Sequence, residues 1–342
     1  MSDPIQVRNL TKTFRVPERK GGLGAALRSL VRRKYREVHA VSDVSFSVAA
    51  GEMVAFLGPN GAGKTTTLKM LAGLLHPTSG DASVLGCQPW RREPDYLRRI
   101  SMVMGQRSQL QWDIPASDSF EFHAAVYGVP GEQFRKTLAE LSALLELEPL
   151  LTRPLRNLSL GERMKCEIAG ALLHRPSVLF LDEPTIGLDV TMQGRIRRFI
   201  QDYNRQFGAT IILTSHYMAD VTALCRRVIV IHHGRLLFDG SLDELSTRTA
   251  PFKMITLDTE RDVDGATLAP FGELVLQEPR KLTLRVPKER AAAVTGRLLA
   301  ELPILDLTIE DPPIEDVITQ VFNVPAESAP PGGAAAAISS SP

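Results

Sequence analysis

The sequence is poor in several features that would each have fixed a class. Cysteine comes first, with three in 342 residues: Cys87, Cys166 and Cys225. They lie too far apart for the close pairs that bind metal or run redox chemistry. They fit a reducing cytosol and read as packing residues. Charge of either sign is not in excess, with 40 basic against 39 acidic side chains and a net +1. The whole-chain balance therefore gives no reason to expect nucleic acid or an acidic substrate. No apolar run approaches the roughly 18 residues that cross a bilayer, so work at a membrane needs another chain to supply the span. No targeting segment is expected either, because Met1-Ser2-Asp3-Pro4 leads directly into a strand-like stretch. The length suffices for two domains with cores of their own.

What is present begins at Gly58. Gly58-Pro59-Asn60-Gly61-Ala62-Gly63-Lys64-Thr65-Thr66 fits the phosphate-binding pattern G-x-x-x-x-G-K-[ST] at every fixed position. The apolar run Met53–Leu57 before it reads as a buried parallel strand, and Thr66–Leu75 after it reads as a helix. Glycines between a strand and a helix start let backbone N–H groups close around phosphate oxygens, and the helix end adds partial positive charge. Lys64 can reach the β- and γ-phosphates and the Thr65 hydroxyl can bind Mg²⁺. Downstream, Val178–Glu183 is an apolar strand ending in two carboxylates. Asp182 is placed to order the metal, and Glu183, pointing elsewhere, to polarise a water in line with the γ-phosphate. The plainer alternative is that both carboxylates cap the following helix.

Asn157-Leu158-Ser159-Leu160-Gly161-Glu162-Arg163 has Ser159 23 residues before Asp182. This stretch resembles the signature loop of ATP-binding cassette (ABC) ATPases, usually Leu-Ser-Gly-Gly-Gln. Leu160 replaces the first glycine and Glu162 the glutamine, while Ser159 and Gly161 remain. The same residues form an ordinary helix N-cap with its box, and the two readings are compatible. Other elements that resemble the family's follow in order: Gln106 as the Q-loop glutamine, Ile186–Asp189 as the D-loop, and His216, after Ile211–Ser215, as the switch histidine. The resemblance spans about residues 5–245, roughly 70% of the chain. It implies that Gln106 touches Mg²⁺ and the attacking water, that His216 reaches the γ-phosphate, and that Asp189 lies at a dimer interface. It also implies an aromatic residue that stacks adenine. Tyr35, 23 residues before Gly58, is preferred to Phe14, 44 residues before it, because stacking needs a fixed place relative to the phosphate loop.

The implied fold class is α/β: a P-loop NTPase core of the ABC type over about residues 1–247, with a helical subdomain over about 108–175. A small α+β domain is expected over 248–323, with strands near Lys253–Leu257, Glu273–Leu276, Leu282–Val286 and Asp306–Ile309 and helices near Arg290–Leu299 and Ile314–Phe322. The Ala-, Pro-, Gly- and Ser-rich stretch 324–342 reads as a disordered tail. Residues 17–37 hold seven Lys/Arg and two Glu. They read as a basic amphipathic helix that either approaches acidic lipid headgroups or packs as a solvated helix.

One phosphate loop and one signature loop per chain imply a head-to-tail dimer, in which Ser159, Leu160, Gly161 and Glu162 of one subunit complete the ATP site of the other. The resemblance is to ATPase subunits of multidrug, viologen or sodium exporters with separate membrane permease chains. That implies a peripheral place on the cytoplasmic face of the cell membrane. The ATPase subunit of a binding-protein-dependent importer and a non-transport cassette are the alternatives, and the transported substrate is not written in this chain.

Overall fold

The computed structural model describes residues 3–17, 35–105, 108–249 and 252–311. Most of the basic segment, Gln106, the Ile314–Phe322 stretch and the tail lie outside them. The chain divides into two compact units at Gly240/Ser241.

The first unit opens with β1 (Ile5–Pro17) and β2 (Tyr35–Val48), which pair antiparallel; β4 (Ser79–Val84) pairs on the other side of β1. Ile5, Val7 and Leu10 of β1 are buried and share a core with Val41, Val44 and Phe46 of β2. A second sheet of six strands has β3 (Met53–Leu57) near its middle, in the order β5-β6-β7-β3-β8-β9. Here β5 is Ile100–Met104, β6 Val178–Asp182, β7 Thr210–Thr214, β8 Arg227–His232 and β9 Arg235–Ser241. The first five pair in parallel. Their continuous apolar runs are buried on both faces, as parallel strands covered on two sides must be. The turn His233-Gly234 between β8 and β9 has both residues at positive φ (47° and 75°), which suits a two-residue reversal.

Helix α1 (Lys64–Leu71) follows β3, and a short α2 (Pro94–Leu97) precedes β5. Three longer helices lie between β5 and β6: α3 (Ala116–Tyr127), α4 (Gly131–Leu145) and α5 (Leu160–Leu172). α3 starts after Pro115 and stops at Gly128, where φ is 68°. α4 buries Thr137, Leu141 and Leu145, a stripe at four-residue spacing. α5 is buried without a break from Met164 to Leu172 and packs against β5, α3 and α4. Helix α6 (Val190–Phe207) joins β6 to β7, and α7 (Met218–Leu224) joins β7 to β8.

The second unit begins with α8 (Leu242–Thr249), so the expected boundary after residue 247 falls inside a helix; the units part before it. Strands β10 (Phe252–Thr259), β11 (Glu273–Glu278), β12 (Lys281–Pro287) and β13 (Ile304–Glu310) form an antiparallel sheet in the order β11-β12-β10-β13. Leu282, Leu284 and Val286 alternate inward. They meet Ile255 and Leu257 of β10 and Val294 and Leu298 of α9 (Ala291–Glu301) in one core.

Candidate active site

Parallel strands bring their C-terminal ends to one edge, and the chemistry of this chain collects there. Register sets Thr214 of β7 beside Phe56 of β3 on one side and Asp182 of β6 on the other. The loop after β3 is clasped tightly. A Cβ on Gly63, whose φ is 109°, would stand 2.5 Å from the Ala40 carbonyl oxygen; one on Gly58 would stand 2.1 Å from that of Ile231. Only glycine fits either place. The loop thus folds between β2 and the end of β8 and runs into α1, whose first N–H groups have no partner within the helix. Lys64 is 6% exposed. Its Nζ reaches back across the loop to the carbonyls of Gly58 (2.6 Å) and Pro59 (3.1 Å). Burial lowers its pKa from 10.5, opposed by the negative fields of Glu183 and Asp182.

Asp182 Oδ1 accepts from Thr65 Oγ1 at 3.0 Å and from Thr214 Oγ1 at 2.8 Å. A hydroxyl and a carboxylate from separate elements thus converge as hard oxygen donors, which fits Mg²⁺. No group of three or more His, Cys, Asp or Glu side chains suited to a metal occurs among the described residues.

Glu183 adopts φ 56°, a left-handed conformation that costs a non-glycine residue about 1–3 kcal/mol. Its N–H donates to both the carbonyl and the hydroxyl of Thr214, each at 3.1 Å. The twist turns its side chain away from Asp182 and toward β7, where Oε1 stands 2.7 Å from His216 Nε2. A carboxylate against an imidazole can hold and pass a proton. Neither Asp182 nor Glu183 caps the helix that follows; Asp189 does, its carboxylate accepting from the Met192 N–H at 2.9 Å.

The signature residues form a separate cluster. Ser159 caps α5 with a complete capping box: its hydroxyl accepts from the Glu162 N–H at 3.3 Å, and its own N–H donates to Glu162 Oε2 at 2.8 Å. That backbone bond and Arg153 hold the Glu162 carboxyl below its usual range. Leu160 is 38% exposed, and its Cδ2 would lie 2.9 Å from a Cβ on Gly187. Gly161 lies against Met192 in the same way. The structure therefore brings Lys64, Thr65, Asp182, Glu183 and His216 together, and sets Ser159, Leu160, Gly161 and Glu162 beside the turn that carries Asp189.

Residues 41–186 match the family described as ABC transporter, and residues 251–310 match the EvrA-like ABC transporter, C-terminal domain. The chain is 37% identical over 212 residues to the ABC transporter ATP-binding protein NatA of Bacillus subtilis, covering 62% of this chain and 86% of that protein. The chain belongs to the ABC transporter ATP-binding proteins. The Nod factor export ATP-binding protein I of Ralstonia nicotianae is 36% identical over 223 residues, 64% of this chain and 67% of that one. A dimeric ATP-binding cassette in a post-hydrolysis state, bound to ADP and Pi, aligns with a TM-score of 0.58 at 25% identity, over 69% of this chain and 98% of that one. As an ABC ATPase the chain binds and hydrolyses ATP.

Tyr35 and Phe14, the two adenine-stacking candidates, both lie on the β1–β2 ribbon, but not at the same level. Tyr35 pairs with Pro17 at the outer end and is 56% exposed. Phe14 is half-buried, pairs with Val38 and has Lys12 Nζ 5.2 Å from its ring. Val38 is two residues from Ala40, whose carbonyl abuts the phosphate loop, whereas Tyr35 is five away. The preference for Tyr35 does not agree with this register. β2 begins at Tyr35 and reaches the level of the phosphate loop only five residues later, at Ala40.

Thr214 and Glu167 are partners that pattern reading passed over. Thr214 sits within an apolar strand and so reads as strand filler, yet its hydroxyl serves both Asp182 and Glu183. Glu167 is buried in α5 and accepts from the Ser108 hydroxyl and the Gln109 N–H (2.9 Å for the latter), just past the Q-loop position. Its one legible signal is a carboxylate on an otherwise buried helix.

Proposed function

We propose that this ABC ATPase powers export of a substrate through separate membrane permease chains, and that two copies work head to tail with ATP between them. The observation that carries the working unit is the separation of the two clusters. The Ser159 hydroxyl makes a local contact, accepting from the Glu162 N–H, so its proton and the helix start behind it can serve a phosphate held by another copy. In each composite site Lys64 and the loop N–H groups neutralise the phosphates. Thr65 and Asp182 hold Mg²⁺, with Gln106 expected beside them though it lies outside the described residues. When bound, that cation would supply charge neutralisation on the phosphates. Glu183 polarises the attacking water and His216 steadies both Glu183 and the γ-phosphate. Asp189 faces the partner copy.

The export direction is supported by the similarity to a protein named for Nod factor export. No described helix is long and apolar enough to cross a membrane. The similarity to transporter ATP-binding proteins supports a peripheral place at the cytoplasmic face. Purification of the tagged chain from detergent-solubilised native membranes tests the reading. One or two polytopic membrane proteins, with no extracytoplasmic binding protein in the same system, support export. A permease accompanied by a binding protein overturns export in favour of import. Ribosomes or nucleic acid without a membrane protein overturn transport.

A further inference from the structure

Asp220, in the first turn of α7, is 1% exposed, so its carboxylate must be paired. It has three partners from three elements. Oδ1 accepts from Arg197 Nη1 of α6 at 2.7 Å. Oδ2 accepts from the Ser215 hydroxyl at 2.7 Å and from the Thr185 hydroxyl. Thr185 is two residues past Glu183, and Ser215 is the residue before His216. Both hydroxyls are buried.

We propose that Asp220 is a positioning residue for hydrolysis: a single carboxylate oxygen ties the turn that carries Glu183 to the turn that carries His216. The inference rests on the roles given above to that pair. Their 2.7 Å contact joins two separate loops, and Glu183 holds a left-handed φ that the surrounding structure must enforce. On one side Thr214 fixes the Glu183 N–H. On the other, Oδ2 of Asp220 holds Thr185 and Ser215 at a common point. Thr185 also accepts the Leu188 N–H through its carbonyl, at 3.2 Å. The same anchor therefore reaches the turn before Asp189, and a shift of that turn moves the catalytic pair.

The Arg197 arm joins two helices and is a strut; the two hydroxyl arms carry the positioning. Thr185→Val and Ser215→Ala remove one hydroxyl arm each. Each is expected to lower kcat about tenfold, because small misplacement of reacting groups is costly. The Kd for a non-hydrolysable ATP analogue with Mg²⁺ should stay within about twofold, the melting temperature should fall by no more than the few degrees that one lost buried hydrogen bond costs, and Thr185→Ser should restore the rate. The double variant should lose less than the product of the two single losses, since both arms end on one oxygen. Wild-type kcat in both single variants overturns the proposal, and so does a loss of kcat that only follows a loss of folded protein. Glu183→Gln serves as the control. Normal turnover there overturns the reading of the pair itself; failed turnover there, with normal Thr185→Val and Ser215→Ala, overturns the Asp220 inference alone.

Discussion

Glu183 Oε1 and His216 Nε2 stand 2.7 Å apart at the ends of neighbouring parallel strands. Neither side chain is there by helix or strand geometry alone. Glu183 leaves β6 through a left-handed residue, and His216 leaves β7 two positions beyond Thr214, whose hydroxyl and carbonyl take the Glu183 N–H. On the proposed reading the carboxylate draws a proton from water and the imidazole shares it, so the two act as one unit.

From this unit follows the first expectation. Glu183→Gln keeps the shape and the hydrogen bond to His216 but cannot take a proton. Turnover should fall by about 10²–10⁴-fold, the usual worth of a positioned general base, while ATP binding is kept. Phosphate release measures the first and nucleotide titration the second. Gel filtration with ATP should show the variant as a dimer. Turnover near wild type would remove Glu183 from the chemistry.

Lys64 gives a dependence on pH. Burial lowers its pKa below 10.5, so its proton leaves at a lower pH than from an ordinary lysine. Nucleotide binding needs the ammonium, so affinity for ATP should begin to fall below pH 10.5 as pH rises through the lowered value. Stability of the nucleotide-free protein carries the opposite sign. Between the native pKa and 10.5 the unfolded chain binds the extra proton, so this group's contribution to stability rises with pH across that window. Titrating ATP affinity from about pH 7 to about pH 10 against Lys64→Arg, whose charge persists, isolates the effect. The alkaline fall should be confined to the wild type, and equal falls in both would assign it to other groups.

The strand–loop–helix at Gly58 was legible because an apolar run, fixed glycines and a lysine each have a local cause. So were the four strands and the helix Ala291–Glu301 of the second unit, through period-two and helical spacing. Separate roles for Glu183 and His216 were expected, but their pairing was not, because a register between β6 and β7 is a tertiary fact. Thr214 and Asp220 were hidden for the same reason. The boundary was misplaced although a signal existed. Ser241 and Glu244 form a reciprocal capping box, at 3.0 and 3.1 Å, and the spacing S-x-x-E marks a helix start before residue 247.

The cysteines offer a chemical check on burial. Cys166 and Cys225 are fully buried, and burial pushes both thiols up, Cys166 to about 12. Cys87 is partly exposed. Thiolate is the reactive form, so iodoacetamide at about pH 8 should label Cys87 alone in the folded protein and all three cysteines in denaturant. Intact-mass spectrometry reads the number of adducts. Rapid double or triple labelling of the native protein would contradict the packing of α5 or of the segment after α7.

Adenine stacking separates the two aromatic candidates most sharply. With about 3.3 Å per strand residue, Tyr35 lies about 16 Å along β2 from Ala40, and the Val38 partner of Phe14 lies about 7 Å from it. A base attached to phosphates held at Gly58–Thr65 has a limited reach, so Phe14 is the ring within range. The Lys12 ammonium 5.2 Å from that ring steadies its face by cation–π attraction. Stacking on an aromatic ring is worth about 1–3 kcal/mol per base. Phe14→Ala should therefore raise the KM for ATP by about 5- to 160-fold with little change in kcat. Tyr35→Ala should leave KM within about twofold. GTP should lose less than ATP only if the site reads the base by more than its π-face. A larger KM effect from Tyr35→Ala than from Phe14→Ala would mean that the β1–β2 ribbon bends inward when nucleotide binds, and would restore the assignment that spacing alone suggests.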